Sequence, residues 1–302
     1  MLNVKFNFSV LSGEKAFVLN LDPSEGVQQG ILNELKHGFF YEHETSTFML
    51  NVMRDGDTAI DIGANIGFFS TLLGSLAGKT GKILAIEANP HNAERAADHL
   101  RLNGINGTVL AVGVGDSGGG ALWIAASDGD SNGRLVPESE MTELPRDALR
   151  VSVTTLDDIL PKNLTTTRIK IVKIDIEGWE YEALLGGRTL FTYYDIDYFI
   201  IEFHDKVKWH RIRALMREHG YETYLFNGEG NMPFYVPAYA DIKPLAMINI
   251  LFAKPKTIEK DFREVLANNF AGDFNRVVDR ARAIVAHHLG PAGVRATGLS
   301  SP

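Results

Sequence analysis

The chain has 302 residues, a formal charge of −8 at pH 7 and no cysteine, which excludes a thiol nucleophile, a disulfide framework and cysteine-ligated zinc. The negative balance, with no run of five basic residues, argues against a nucleic-acid partner. No apolar stretch approaches the length of a membrane span, and the N-terminus is not signal-like, so a cytoplasmic location is expected.

Residues 1–22 alternate apolar and polar positions around Ser12, Gly13 and Glu14, which predicts a β-hairpin added as a lid or at a sheet edge. Val27, Ile31 and Leu35 stand at helical spacing within 24–36. Phe39, Phe40 and Tyr41 follow, and a second helix is expected over 43–53, with Tyr41, Glu42, His43, Glu44 and Thr45 at its start. These aromatics read as packing more often than as substrate contacts. Residues 1–55 thus form a hairpin and helical segment ahead of a core at 56–255, and 256–302 form a helical extension.

The core opens on DTAIDIGANIGFFSTLLGSLAGKTGKILAIEAN, residues 57–89. An apolar run at 58–62 meets a glycine turn, a helix runs to about Ala77, and a second apolar run ends on Glu87. This is one β-α-β unit. Ligands of such sheets bind outside the carboxyl ends of the strands, which points to Asp61, Gly63, Asn65, Gly67 and Glu87. Gly63 and Gly67 allow close approach, the helix opening there offers free N–H groups, and Glu87 is placed to accept ribose hydroxyls. A dinucleotide site would read G-x-G-x-x-G. Here the spacing is D-x-G-x-N-x-G, which favours S-adenosylmethionine (SAM) over NAD.

Asn89-Pro90 opens a helix to about Asn103. Residues 108–112 are a third strand and Asp116 closes the following loop, either as an acceptor for the adenine amino group or as an ordinary turn residue. The glycine-rich stretch 113–133 contains an inserted strand at 121–126 and reads as a mobile loop near the ligand or as a simple surface excursion. A short strand at 151–154 and a helical turn begun by Thr155 lead to strand four, 169–174, with Asp175 at its carboxyl end. Glu177 and Glu180 follow, then a helix over 179–190, strand five over 196–201, and Glu202 and His204 at the same edge. A helix over 208–220, strand six over 221–226, a loop over 227–247 and an antiparallel strand seven over 249–253 complete the core. Helices over 258–270 and 274–288 lie outside it, as a dimer contact or as a cap, and the last dozen residues are expected to be disordered.

DIGANIG, IEANP, KIDIEGWE at 173–180 and IIEFH at 200–204, in this order, resemble the FkbM family of SAM-dependent methyltransferases. The resemblance covers roughly 56–255. It implies a Rossmann-like class I methyltransferase fold: α/β, a seven-stranded mostly parallel sheet with helices on both faces, the N-terminal hairpin and helix, and the C-terminal extension. Gly113 departs from the alanine more usual in the family. The implied activity is O-methylation of a hydroxyl on a small molecule or sugar unit. Methylation of nitrogen or carbon, an NAD(P)-dependent dehydrogenase and a SAM-binding partner without turnover are the alternatives.

Asp175, Glu177, Glu202 and His204 are the catalytic candidates. His204 is expected to act as general base, with an apparent pKa near 6.5, while Asp175, Glu202 and His204 as ligands of Mg²⁺ or Mn²⁺ are the alternative.

Overall fold

The computed structural model describes residues 1–10, 13–125, 133–137, 148–204, 206–226, 233–237 and 248–269. The chain opens with β1 (Leu2–Val10) and β2 (Gly13–Leu21), then α1 (Gly26–Lys36) and α2 (His43–Val52). The first β-α-β unit is β3 (Thr58–Ile62), α3 (Phe68–Ala77) and β4 (Lys82–Glu87), followed by α4 (Pro90–Leu102) and β5 (Gly107–Ala111). A side branch follows with β6 (Gly113–Val114), β7 (Gly119–Ala125), β8 (Gly133–Pro137) and β9 (Leu149–Thr154). Then come α5 (Leu156–Asn163), β10 (Arg168–Ile174), α6 (Glu180–Leu185), α7 (Thr189–Thr192), β11 (Asp195–Glu202) and α8 (Lys206–Glu218). The chain continues with β12 (Glu222–Leu225), β13 (Phe234–Val236), β14 (Asn249–Ala253) and α9 (Pro255–Asn269).

The main sheet runs β13-β12-β14-β11-β10-β3-β4-β5. From β11 to β5 every neighbouring pair is parallel, and β14 is antiparallel to both β11 and β12. The seven expected strands are all present, and β13 adds an eighth at the edge of β12. All five residues of β3 are buried, as an apolar run covered on both faces requires. Asn89 caps α4 by accepting from the His91 N–H at 3.0 Å, with Pro90 at the first helical position. The single helix expected over 179–190 is two. It breaks at Gly186, where a Cβ would stand 2.0 Å from the Gly115 carbonyl oxygen.

The hairpin is not added at an edge of the main sheet. It forms its own two-stranded sheet and packs on α3 and α4. Phe6 stacks on Phe17 at 4.6 Å between ring centres, and both meet the edge of Phe68 at the start of α3. Lys15 reaches the carboxyl end of α3, donating to the Leu76 carbonyl at 2.8 Å, where a cation is favoured. His99 ties the hairpin to the glycine turn: Nδ1 donates to the Ile66 carbonyl at 2.7 Å and Nε2 accepts from the Asn20 N–H at 3.0 Å. Burial lowers the pKa of His99 and so favours the neutral ring these two bonds need.

The C-terminal extension is, in its first helix, part of the core. Asp261 and Phe262 of α9 are buried, and Asp261 accepts from Lys170 on β10 at 2.5 Å and from the Tyr198 hydroxyl on β11 at 2.9 Å. The helix expected over 274–288 and most of the loop over 227–247 lie outside the described residues. No helix among the described residues is long and apolar enough to cross a membrane.

Candidate active site

The carboxyl ends of β3, β4, β10 and β11 open on one cleft of about 200 Å³. Glu87 lies in it, 6 % exposed. Its Oε2 accepts from the Asn65 N–H and its Oε1 from the Asn89 N–H, each at 2.8 Å, which fixes the carboxylate and leaves one lone pair on each oxygen. Burial raises the Glu87 pKa to about 7 against those two bonds. Such a group has room to accept two further hydroxyl hydrogen bonds.

The turn is built by backbone geometry. Gly63 and Gly67 have φ of 83° and 85°, and Asn65, with φ of 48°, secures its own conformation by accepting the Ile66 N–H on Oδ1 at 2.7 Å. A Cβ on Gly63 would stand 1.7 Å from the Asp175 carbonyl oxygen. The glycine therefore serves the junction of β3 with β10 before it serves a ligand. Gly67 caps α3 against Ala96, 2.9 Å from where its Cβ would be, and does not line the cleft. Asp61 is likewise beneath the cleft, 1 % exposed, with Oδ2 accepting from the Ser70 hydroxyl at 2.5 Å and Oδ1 buried without a hydrogen-bond partner. Asp116 is exposed and accepts from the Ser117 hydroxyl at 3.1 Å, away from the cleft, as its reading as a turn residue would have it.

The side branch forms the second wall. In the sheet β6-β9-β7-β8, Trp123 and Leu135 are buried and line the cleft beside Val112 and Gly113. The glycine at 113 has a reason here, since a Cβ would lie 2.8 Å from Leu135 Cδ1. Leu135 fills the space that an alanine side chain would take. The inserted strand was legible in the sequence, but its pairing was not, so Trp123 and Leu135 went unrecognised. Trp179 of the KIDIEGWE string packs against the same apolar cluster, and Gly115 leaves room for its ring, 3.1 Å from where a Cβ would be.

At the ends of β10 and β11 the charges converge. Lys173, 1 % exposed, donates to Asp175 Oδ2 at 2.6 Å and lies 4.6 Å from the centre of the Phe69 ring. Burial pushes the Asp175 carboxyl up, but the Lys173 ammonium and hydrogen bonds with Glu202 and His204 hold it well below the usual carboxylate range. Burial and the neighbouring Asp175 raise Glu202 to about 8. His204 Nε2 lies 2.5 Å from Glu202 Oε2, 3.9 Å from Asp175 and 3.8 Å from Glu180, while Nδ1 lies 3.5 Å from Glu177. Burial opposes its charge, yet these carboxylates raise the ring to about 11. The expected neutral base with a pKa near 6.5 is therefore corrected: a histidine among four carboxyl groups is a cation at neutral pH. Ligand atoms of Asp175, Glu177, Glu202 and His204 all fall within 4.8 Å of one another, so Glu177 joins the three foreseen as a set.

The description that matches the chain is the methyltransferase FkbM domain, over residues 61–223, more than half of its length. The chain belongs to the FkbM methyltransferase family. The glycine turn, the buried Glu87 carboxyl and the apolar wall of the cleft fit the SAM cofactor expected from the sequence. Among curated proteins it is similar to protein-L-isoaspartate O-methyltransferase 2 of Archaeoglobus fulgidus, 33% identical over 66 residues, 22% of this chain and 30% of that one. It is also similar to the 23S rRNA (uracil(1939)-C(5))-methyltransferase RlmD of Psychrobacter arcticus, 38% identical over 56 residues, 18% of this chain and 11% of that one. The match thus spans about a third or less of these relatives. Among solved structures, a methyltransferase FkbM from Methylobacillus flagellatus aligns with a TM-score of 0.45 and 20% identity over 67% of this chain and 44% of that one. A SAM-dependent O-methyltransferase from Thermotoga maritima aligns with a TM-score of 0.41 and 12% identity over 82% and 77%.

Proposed function

We propose that this FkbM-family protein transfers a methyl group from SAM to a hydroxyl oxygen of a small molecule or a sugar unit. One observation carries the reading: the Asp175, Glu177 and Glu202 carboxyl groups line the cleft beside Gly63, backed by His204. An alcohol is a weak acid, so oxygen methylation needs a group that orients the hydroxyl and one that takes its proton, and this edge offers the ionised Asp175 for the first and Glu202, raised to about 8, for the second. The acceptor is read as non-polyanionic. Lys173 is the one ammonium among the described residues lining the cleft and is already bonded to Asp175, so the cleft has no further cation to neutralise a chain of phosphates.

The roles follow from position. Glu87, held by the Asn65 and Asn89 N–H groups, accepts the ribose hydroxyls, and Trp123 with Leu135 exclude water from the adenosine side. The bound cofactor supplies the electrophilic methyl group. Asp175, kept ionised by Lys173, accepts the hydrogen bond of the attacking hydroxyl. Asp175, Glu177 and Glu202, joined by His204 once a bound ion displaces its ring proton, would also hold Mg²⁺ or Mn²⁺, a hard cation suited to an oxygen-rich set, which would lower the hydroxyl's pKa.

Calorimetry tests the cofactor arm. SAM and S-adenosylhomocysteine should bind with micromolar affinity and NADH should not, because the turn lacks the dinucleotide pattern. Glu87→Ala should weaken SAM binding by about 1.5–3 kcal/mol for each ribose hydrogen bond to the charged acceptor, less where water substitutes. NADH binding in place of SAM would overturn the assignment, and an unchanged affinity in the variant would remove Glu87 from the ribose.

A further inference from the structure

The family match begins at residue 61, yet the segment before it places a carboxyl group in the cleft. Glu42 caps α2 with a φ of 47°, a left-handed conformation that a non-glycine residue keeps only when its surroundings impose it. Three non-glycine residues among those described have a positive φ, namely Glu42, Asn65 and Glu177, and all three line this one cleft. Asn65 holds the ribose acid and Glu177 belongs to the strand-end cluster. Glu42 is left without a part in either.

What imposes its position comes from the far end of the chain. Asn249, opposite Glu202 in the pairing of β11 with β14, donates through Nδ2 to Glu42 Oε2 at 2.5 Å and to the Thr45 hydroxyl oxygen at 3.1 Å. Burial raises the Glu42 carboxyl to about 7, the Lys173 ammonium acts against that, and Asp175 and Asp61 add to the rise. Lys173 and Glu42 thus attract one another within the same cleft.

Sheet order sets what they meet. Glu87 stands at β4, Gly63 at β3, Lys173 on β10, and the Asn249 that holds Glu42 on β14. A ligand whose ribose meets Glu87 and which crosses Gly63 presents its other end to Lys173 and Glu42. In SAM that end is an amino-acid head, with an ammonium and a carboxylate on one carbon. We propose that Glu42 receives the α-ammonium of this head, with Lys173 on the carboxylate side, so that the N-terminal segment takes part in cofactor recognition. The proposal rests on SAM as the ligand of this cleft.

Calorimetry with S-adenosylhomocysteine and with 5′-methylthioadenosine, which lacks the amino-acid head, tests it on the full chain. Glu42→Gln should weaken S-adenosylhomocysteine about tenfold to a hundredfold, the worth of one charge-assisted hydrogen bond, and leave 5′-methylthioadenosine within about twofold. Glu42→Asp, which keeps the charge on a shorter stem, should fall between. In the unsubstituted protein the ratio of the two affinities should drop as pH falls through about 7 and Glu42 takes up a proton, and Glu42→Gln should abolish that trend. Equal losses for both ligands, or no loss for either, would overturn the role of Glu42, while retained 5′-methylthioadenosine binding shows that the variant is folded. If the unsubstituted protein binds neither ligand nor SAM, the cofactor reading itself fails, a separate outcome.

Discussion

Gly63→Val should lower the melting temperature by about 10 °C and remove SAM binding with it, since overpacking and a left-handed β-branched residue together cost about 3–5 kcal/mol. The sequence alone suggests a milder outcome, in which a side chain obstructs only the ligand and the protein stays folded. The structure places the obstruction elsewhere. A Cβ at Gly63 would lie 1.7 Å from the Asp175 carbonyl oxygen and 2.7 Å from its carbon, so the backbone of β10 must move before any ligand is concerned. That same displacement would carry the Asp175 side chain away from Lys173. Gly104→Ala is the matched control, because Gly104 also has a positive φ, 63°, but no atom within 4 Å of its would-be Cβ. It should cost about 1 kcal/mol from backbone strain alone and leave binding intact. Thermal unfolding and calorimetry on both variants decide it. A Gly63→Val protein with unchanged melting temperature would show that the turn has slack the contacts do not suggest.

Residue chemistry made the central unit readable because its signals are local. The run 58–62, the glycines at 63 and 67, and Asn89 before Pro90 each specify their own backbone, and β3, α3, β4 and α4 follow them within a residue or two. Glu87 was readable for the same reason: it ends a strand, and its partners Asn65 and Asn89 are its near neighbours in the unit. What stayed hidden depends on pairings across long stretches of chain. Glu42 is held by Asn249, 207 residues away, and Trp123 reaches the cleft only because β7 pairs with β8 and β9. Lys173 stood in plain view inside KIDIEGWE, where a strand lysine reads as solvated. The period-two alternation with Asp175 was the available sign that both side chains share one face. His204 was placed at the right edge but given the wrong charge, because the reading counted its neighbours in sequence and not Glu177 and Glu180, which arrive around the turn after β10.

Asp175→Asn should lower turnover by about tenfold to a hundredfold, the worth of one hydrogen bond from the attacking hydroxyl to a charged acceptor, while changing SAM affinity far less. The argument starts from Lys173. Its buried ammonium bonds Asp175 at 2.6 Å and is raised by Asp175, Glu42 and Asp61 against the cost of its burial, so the carboxylate facing the cleft is ionised at every pH at which the protein works. An amide keeps the shape of that side chain but can neither offer the hydroxyl a charged acceptor nor offset the lysine. The same substitution removes one of four donor groups that would hold a divalent cation, and the two roles part under chelation. With a cation at Asp175, Glu177, Glu202 and His204, EDTA should suppress turnover, Mg²⁺ or Mn²⁺ should restore it, and Asp175→Asn should need more metal for rescue. Without one, EDTA should change nothing, and the rate should show no midpoint near pH 6.5, because His204 is already charged up to about 11. At saturating SAM, where protonation of Glu42 and Glu87 near pH 7 no longer limits binding, a rate that halves near pH 6.5 would mean that the imidazole escapes its carboxylate neighbours in the working enzyme. Full activity in both Asp175→Asn and His204→Ala, on an acceptor that the parent protein methylates, would remove chemistry from this edge and move the search to Tyr41, which lines the cleft, and to His43 and Glu44 on the same segment before the core.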